Sequence, residues 1–143
     1  AGAFAVVIAA ERATGSDAIS AYAGFARRAP LSGFAMAVFM LSLAGVPPTA
    51  LFWGKLSLFG AALQSGFGWL AVLAILNSAV SLYYYLGVLW VMYAESPRDP
   101  SAAPEGGLMR ALLGAAAAAT LLLGIFPEPF VRLVQHASVL LRV

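Results

Sequence analysis

Three long apolar stretches dominate the pattern of hydrophobic and polar positions along this chain. They run from about 32 to 64, from 69 to 93 and from 107 to 126. Each is long enough to supply the roughly 20 apolar residues with which a helix crosses a hydrocarbon core about 30 Å thick. The pattern therefore predicts an all-α fold of polytopic transmembrane helices.

Polar segments flank and separate these stretches. Residues 11–31 and 94–106 predict polar connections, and the first of these includes a short amphipathic helix, AISAYAGFARR. Residues 129–143 predict an amphipathic helix on the membrane surface. Residues 1–10 are apolar over only half the length of a span, so we expect them to be the end of a truncated helix. We therefore expect the chain to be the C-terminal part of a longer membrane protein.

The arginines in the connections orient the predicted helices. The connections 11–31 and 95–110 lie on one side of the membrane and hold five arginines, whereas the other side holds two. Because basic residues accumulate in cytoplasmic loops, we place the five-arginine side in the cytoplasm.

Composition agrees with a membrane protein and excludes several classes of function. The chain is 62% hydrophobic and 10% charged, with a formal net charge of +2, so it has no electrostatic footprint for nucleic acid. It has no cysteine and one histidine, which argues against a metal centre or an iron–sulfur cluster. No glycine-rich phosphate loop is present, and we expect no cofactor in this chain.

The first stretch contains an unusual motif, GVPPT, in which two prolines are adjacent. A proline has no amide hydrogen, so this pair deprives two carbonyls one turn earlier of their helical donors. Those carbonyls belong to Leu43 and Ala44. We expect the helix over 32–64, otherwise roughly 50 Å long, to be discontinuous here. The residues of this predicted break are Gly45, Pro47, Pro48 and Thr49.

A break of this kind has two interpretations. Carbonyls freed at membrane depth need protein or water as partners, so the break favours a hydrated or polar interior. The alternative is a simple proline kink that improves packing.

Lys55, the only lysine of the chain, follows the break at a depth close to the middle of the bilayer. Its neighbours one turn away on the predicted helix are all apolar. Because loss of water disfavours the charged form of a lysine, such a residue is able to exchange a proton, and we predict a role in proton transfer. The alternative is a lysine that reaches to the interface with its long stem.

Polar side chains recur at helical spacing in the second stretch. They are Asn77, Ser81, Tyr84 and Tyr85. If the first two stretches form an antiparallel hairpin, Asn77 lies at nearly the depth of Lys55, and the stripe predicts a polar relay of hydrogen bonds or ordered water. The alternative is that Asn and Ser join helices and that the tyrosines belong to an aromatic belt.

The segments MAVFMLSLAGVPPTALFWGKLSLF and LNSAVSLYYYLGVLWVMY resemble the subunit N family of bacterial NADH-quinone oxidoreductase, respiratory complex I. These subunits belong with the antiporter-like subunits related to Mrp-type sodium/proton antiporters. The resemblance covers about residues 2–93. It implies a larger subunit with two broken helices along a central line of ionisable residues and water, in which Lys55 matches the lysine of the second broken helix.

The resemblance also implies a function. The expected role is proton translocation in the membrane arm of the complex, coupled to electron transfer from NADH to quinone that takes place elsewhere. The expected partners are other membrane subunits of complex I and the lipid bilayer, in the inner membrane of a bacterium. The alternatives are a subunit of an Mrp-type sodium/proton antiporter and a purely structural membrane anchor.

Overall fold

The computed structural model describes residues 2–16, 18–96 and 106–128, and within them the secondary structure is helical. The elements in chain order are α1 (Gly2–Thr14), a 3₁₀ helix (Ile19–Tyr22), α2 (Phe25–Arg28), α3 (Pro30–Ala44), α4 (Ala50–Gln64), α5 (Gly68–Ala94) and α6 (Gly107–Ile125). The expected all-α fold is confirmed. The predicted surface helix over 129–143 and most of the 94–106 linker lie outside the described residues.

The predicted discontinuity is also confirmed. Instead of one helix over 32–64, α3 ends at Ala44 and α4 begins at Ala50, with the two prolines between them. The Pro47–Pro48 peptide bond is cis. Each half has 15 residues, or roughly 22 Å at 1.5 Å per residue, so neither half alone spans a hydrocarbon core about 30 Å thick.

Two helices of the described residues are long and apolar enough to cross a membrane. They are α5, with 27 residues, and α6, with 19 residues. Their observed bounds, Gly68–Ala94 and Gly107–Ile125, compare with the predicted stretches 69–93 and 107–126. By the rise of an α-helix they are roughly 40 Å and roughly 28 Å long.

The N-terminal connection differs from the sequence expectation. α1 continues through Glu11 and Arg12 to Thr14, and AISAYAGFARR forms a 3₁₀ helix and the short helix α2 rather than one amphipathic helix. Gly24 separates the two pieces with a left-handed φ of 64°, and its N–H donates to the carbonyl of Val91 in α5, 3.2 Å away. This bond and the burial of Phe25 attach the connection to the core of the described fold.

α3 occupies the centre of the described fold and packs against α1, α2, α5 and α6. The largest fully buried side chains of this core come from five of the helices. They are Val6, Phe25, Met36, Met92 and Leu113. By contrast, α4 contacts α5 and α6 but has no fully buried residue within the described structure. The break thus joins a central helix to a helix on the edge of the described bundle.

Candidate functional site

The end of α3 satisfies half of its free carbonyls with its own backbone. Gly45 adopts a left-handed φ of 83°, which glycine accepts because it has no Cβ. The N–H of Gly45 donates to the Ser42 carbonyl at 2.9 Å, and the N–H of Val46 donates to the Leu41 carbonyl at 3.0 Å. This pair of bonds is a Schellman motif. Two of the last four carbonyls of α3 still need donors.

Lys55 supplies those donors from α4. Its Nζ donates to the carbonyl oxygens of Leu43 and Ala44 at 3.0 and 2.9 Å. These are the carbonyls that the two prolines were predicted to leave without helical partners. The charge of Lys55 therefore lies at the negative end of the α3 dipole, where a cation is favoured.

A third contact completes the surroundings of the amine. Nζ lies 3.3 Å from Oγ of Ser78 in α5. A protonated lysine carries three N–H donors, and the two carbonyls and this hydroxyl are three acceptors. A neutral amine keeps two N–H donors and gains a lone pair, so one of the three acceptors loses its donor when the proton leaves. A serine hydroxyl both donates and accepts, and it can therefore turn to donate to the neutral amine.

The absence of a side chain at Gly45 also leaves space for the stem of Lys55 to reach the end of α3. A Cβ placed on Gly45 would lie 2.7 Å from Cδ of Lys55 and 3.3 Å from its Nζ. A larger residue here would therefore occupy the space of the stem. Gly45 thus serves the site twice, through its positive φ and through the missing side chain.

The other residues of the predicted break end the gap and start α4. Thr49 precedes α4 and is buried, with an extended backbone. Its Oγ1 donates to the carbonyl of Val46 at 2.6 Å, which closes the loop around the prolines. Pro47 and Pro48 themselves are exposed within the described fold.

A cavity of about 230 Å³ lies beside the break, between α1, α3, α4 and α6. Leu43 and Leu51 reach it from the two sides of the break, and the hydroxyl-bearing residues Ser42 and Thr120 also line it. A cavity of this size holds several water molecules where polar partners exist. The break is therefore next to space in which water can reside.

The predicted relay residues of α5 take different positions around this site. The direct hydrogen bond to Lys55 is made by Ser78 and not by Asn77, which is exposed in the described fold. Ser81 donates to the carbonyl of Asn77 at 2.8 Å, on its own helix. Tyr84 is exposed and its ring packs edge-on against Tyr83, with 5.6 Å between the ring centres.

Sequence reasoning placed the contact one residue away from Ser78. The signal was nevertheless present, because antiparallel pairing of α4 and α5 brings residues 77 and 78 to almost the same depth as Lys55. Asn77 and Ser78 leave α5 in different directions, and the angle at which α4 and α5 cross determines which of them faces Lys55. Tyr85, the last residue of the predicted stripe, is half-buried on α5.

Comparison with known proteins identifies close relatives. NADH-quinone oxidoreductase subunit N of Heliobacterium modesticaldum is 43% identical over 137 residues, which are 96% of this chain and 29% of that protein. F(420)H(2) dehydrogenase subunit N of Methanosarcina mazei is 41% identical over 126 residues, 87% of this chain and 26% of that protein. The chain thus spans less than a third of the length of these relatives.

A solved structure has a similar fold. A chain of respiratory complex I from Thermus thermophilus, determined with bound aureothin, matches with a TM-score of 0.69 and 42% sequence identity. The match covers 76% of this chain and 25% of that chain. A model of the family described as NADH:quinone oxidoreductase/Mrp antiporter, transmembrane, matches residues 1–81, which include the break, Lys55 and Ser78. The chain belongs to this NADH:quinone oxidoreductase/Mrp antiporter family of transmembrane proteins.

Proposed function

We propose that this chain takes part in proton translocation through the membrane arm of an NADH-quinone oxidoreductase, with Lys55 as the residue that gains and loses the proton. The observation that carries the proposal is the position of the Lys55 amine, which extends from α4 to the last two carbonyls of α3 and to the hydroxyl of Ser78. Family membership supports the type of transport, since the matched residues contain this site.

The names of the relatives support a role that does not depend on which electron donor the complex oxidises. Relatives of similar identity belong to an NADH-quinone oxidoreductase and to an F(420)H(2) dehydrogenase. A segment shared by complexes that oxidise different donors is better suited to ion transport than to redox chemistry. We accordingly propose that this chain holds no redox centre, that it works beside other membrane subunits of the complex, and that it resides in the inner membrane of a bacterium.

The chemistry of proton exchange follows from the three contacts of Nζ. The carbonyls of Leu43 and Ala44 hold the protonated form, because a charged donor makes the stronger hydrogen bond to a carbonyl. Ser78 accepts from the ammonium and donates to the neutral amine, so it stays bonded through the change. We propose that water entering the cavity beside the break, which Leu43 lines, brings the proton to and from this region. We propose that Asn77, Ser81, Tyr84 and Tyr85 extend the polar path along α5.

The contacts also define a structural role for Lys55, because its loss leaves two helix-end carbonyls without their donor. Lys55→Arg separates the two roles. A guanidinium keeps the charge and the donors but does not release its proton at physiological pH. Lys55→Ala removes both functions and serves as the reference for complete loss.

The test is proton pumping by the complete membrane complex in liposomes, with electron transfer and the amount of assembled complex measured in parallel. We expect Lys55→Arg to assemble and to lower pumping by at least about tenfold, since a residue that transfers protons contributes about 100-fold or more to a rate. Leu58→Ala, at an exposed position of the same helix, is the matched control and keeps normal pumping. Normal pumping by assembled Lys55→Arg would show that the lysine only caps α3.

The ion carried is tested in the same liposomes. An Mrp-type sodium/proton antiporter is the second candidate, because the matching family includes both kinds of protein. Proton pumping that persists unchanged after removal of sodium supports the proposal. Pumping that requires sodium favours the antiporter.

A further inference from the structure

A second helix end meets the break, on the side away from Lys55. Gly124 is buried in the last turn of α6, and its backbone lies directly against the loop between α3 and α4. A Cβ on Gly124 would overlap the carbonyl oxygen of Pro48 and would lie 2.5 Å from Cα of Thr49. Both neighbours are backbone atoms, which cannot turn aside as a flexible side chain does. Glycine is therefore required for α6 to approach the break this closely.

A hydrogen bond joins α4 to the same glycine. The indole Nε1 of Trp53 donates to the carbonyl oxygen of Gly124 at 2.7 Å. That carbonyl is among the last four of α6, which have no helical N–H ahead of them except where the chain turns back. The carbonyl of Leu122 receives the N–H of Phe126, and the carbonyl of Gly124 receives the indole. Trp53 thus satisfies a backbone group that would otherwise need water at membrane depth.

The hydrogen bond between Trp53 and Gly124 matters for Lys55 because Trp53 and Lys55 are two residues apart on α4. Two residues along an α-helix correspond to a rotation of about 200°, so the two side chains leave α4 on nearly opposite faces. Trp53 holds the end of α6, and Lys55 holds the end of α3. The first half of α4 is therefore fixed between two helix ends, and its rotation is set by both contacts together.

We infer that Trp53 and Gly124 are positioning residues for Lys55: they fix the angle of the break and the rotation of α4, and thereby hold the amine at the end of α3. This inference rests on the proposed function of Lys55. Gly124 lies outside the part of the chain that matches the family model, residues 1–81. Its role follows from the contact of α6 with the break.

The distances at Lys55 explain why a small movement of α4 matters. The contacts of Nζ with the two carbonyls are 3.0 and 2.9 Å, close to the optimum for an N–H donor, and such bonds weaken steeply beyond about 3.5 Å. A shift of α4 by about 1 Å is enough to break them. Displacements of that size at a reacting group can cost up to about 100-fold in rate.

The experiment replaces Trp53 in two complementary ways in the complete complex. Trp53→Phe keeps an aromatic ring and removes the N–H. Trp53→His keeps a ring N–H at nearly the same distance from Cβ, since both five-membered rings are attached there, and removes the bulk of the second ring. We expect Trp53→Phe to lower protons pumped per electron about fivefold, the size of effect that loss of one hydrogen bond has on an equilibrium. Trp53→His should recover much of this loss.

Gly124→Ala tests the contact from the other helix. We expect it to lower protons pumped per electron at least as far as Trp53→Phe, because the added methyl group pushes the break away from α6. The matched control is Gly114→Ala in the same helix, where a Cβ would lie 3.8 Å from the nearest atom, Cδ2 of Leu31, an ordinary contact. It should pump normally. The quantity of assembled complex is measured for every variant.

The relative proton pumping of Trp53→Phe and Trp53→His shows whether Trp53 positions Lys55 or only fills space. If Trp53 only fills space, Trp53→Phe pumps better than Trp53→His, and the inference is overturned. It is also overturned if Trp53→His does no better than Trp53→Phe, or if Trp53→Phe pumps normally. Lys55→Arg is assayed alongside: normal pumping there overturns the proposed function itself, whereas impaired Lys55→Arg with normal Trp53→Phe overturns only the positioning role.

Discussion

Gly45→Ala tests the geometry of the site because Gly45 meets two separate requirements there. The residue has a φ of 83°, and the stem of Lys55 passes across its missing side chain. An alanine held in the left-handed region costs about 1–2 kcal/mol in backbone strain. The new Cβ would also lie 2.7 Å from Cδ of Lys55, too close for two carbon atoms.

The lysine stem is the part that gives way, since it is flexible and the backbone of the break is not. Its movement withdraws Nζ from the Leu43 and Ala44 carbonyls, which are 3.0 and 2.9 Å away. A hydrogen bond from a charged group contributes about 1.5–3 kcal/mol when buried, and we take the lower end because Lys55 is partly exposed and water can replace part of the bond. The expected total for Gly45→Ala is about 3 kcal/mol of lost stability.

Gly66→Ala is a matched control for the backbone term. Gly66 has a φ of 79° at the end of α4, and a Cβ there would meet nothing within 4 Å. It should lose only the strain of about 1–2 kcal/mol and should pump protons normally. The free energy of unfolding in detergent micelles measures stability, and liposomes measure pumping. If Gly45→Ala matches Gly66→Ala in both assays, the contact between Lys55 and Gly45 does not exist as described.

Two further substitutions test neighbouring contacts. Ser78→Ala should lower proton pumping about fivefold, because the amine loses its third hydrogen-bond partner, whereas Asn77→Ala should have the smaller effect; the reverse order in liposome assays would return the contact to Asn77. Gly33→Ala should lower the free energy of unfolding by about 1–3 kcal/mol, since its Cβ would lie 2.8 Å from the backbone of α2. Gly54→Ala, with open space around it, should instead raise that free energy by about 0.5–1 kcal/mol, and equal effects at the two glycines would contradict the close packing of α2 on α3.

The sequence predicted the break well because its cause is local. A proline removes the donor to the carbonyl four residues earlier, so Pro47 and Pro48 identify Leu43 and Ala44 without any knowledge of the fold. The structure finds the amine of Lys55 on these two carbonyls. The reach of the lysine back across the break was not predicted, because it depends on the angle between α3 and α4 and on the open path over Gly45.

Contacts between separate helices were the ones that sequence reasoning missed. Hydropathy gives the length and depth of α5, but the choice between Asn77 and Ser78 depends on how α5 is rotated toward α4. The contact of Gly124 with the break depends on where α6 ends relative to α4, which follows from packing across about 70 residues of chain. A glycine in an apolar helix is common, so the pattern alone did not distinguish this one.

The two helix ends that α4 contacts differ in how they respond to a proton. The indole of Trp53 does not titrate, so the contact with α6 is unchanged when Lys55 gains or loses its charge. On the proposed function the contact with α3 weakens, because a neutral amine makes weaker hydrogen bonds to the carbonyls of Leu43 and Ala44 than an ammonium does. On the proposed function, the fixed side of α4 is therefore the α6 side, and any movement that accompanies proton release is concentrated between α3 and α4. If Lys55 transfers the proton as proposed, a constant contact on one face of α4 and a charge-dependent contact on the other would convert a change of charge into a change of angle at the break.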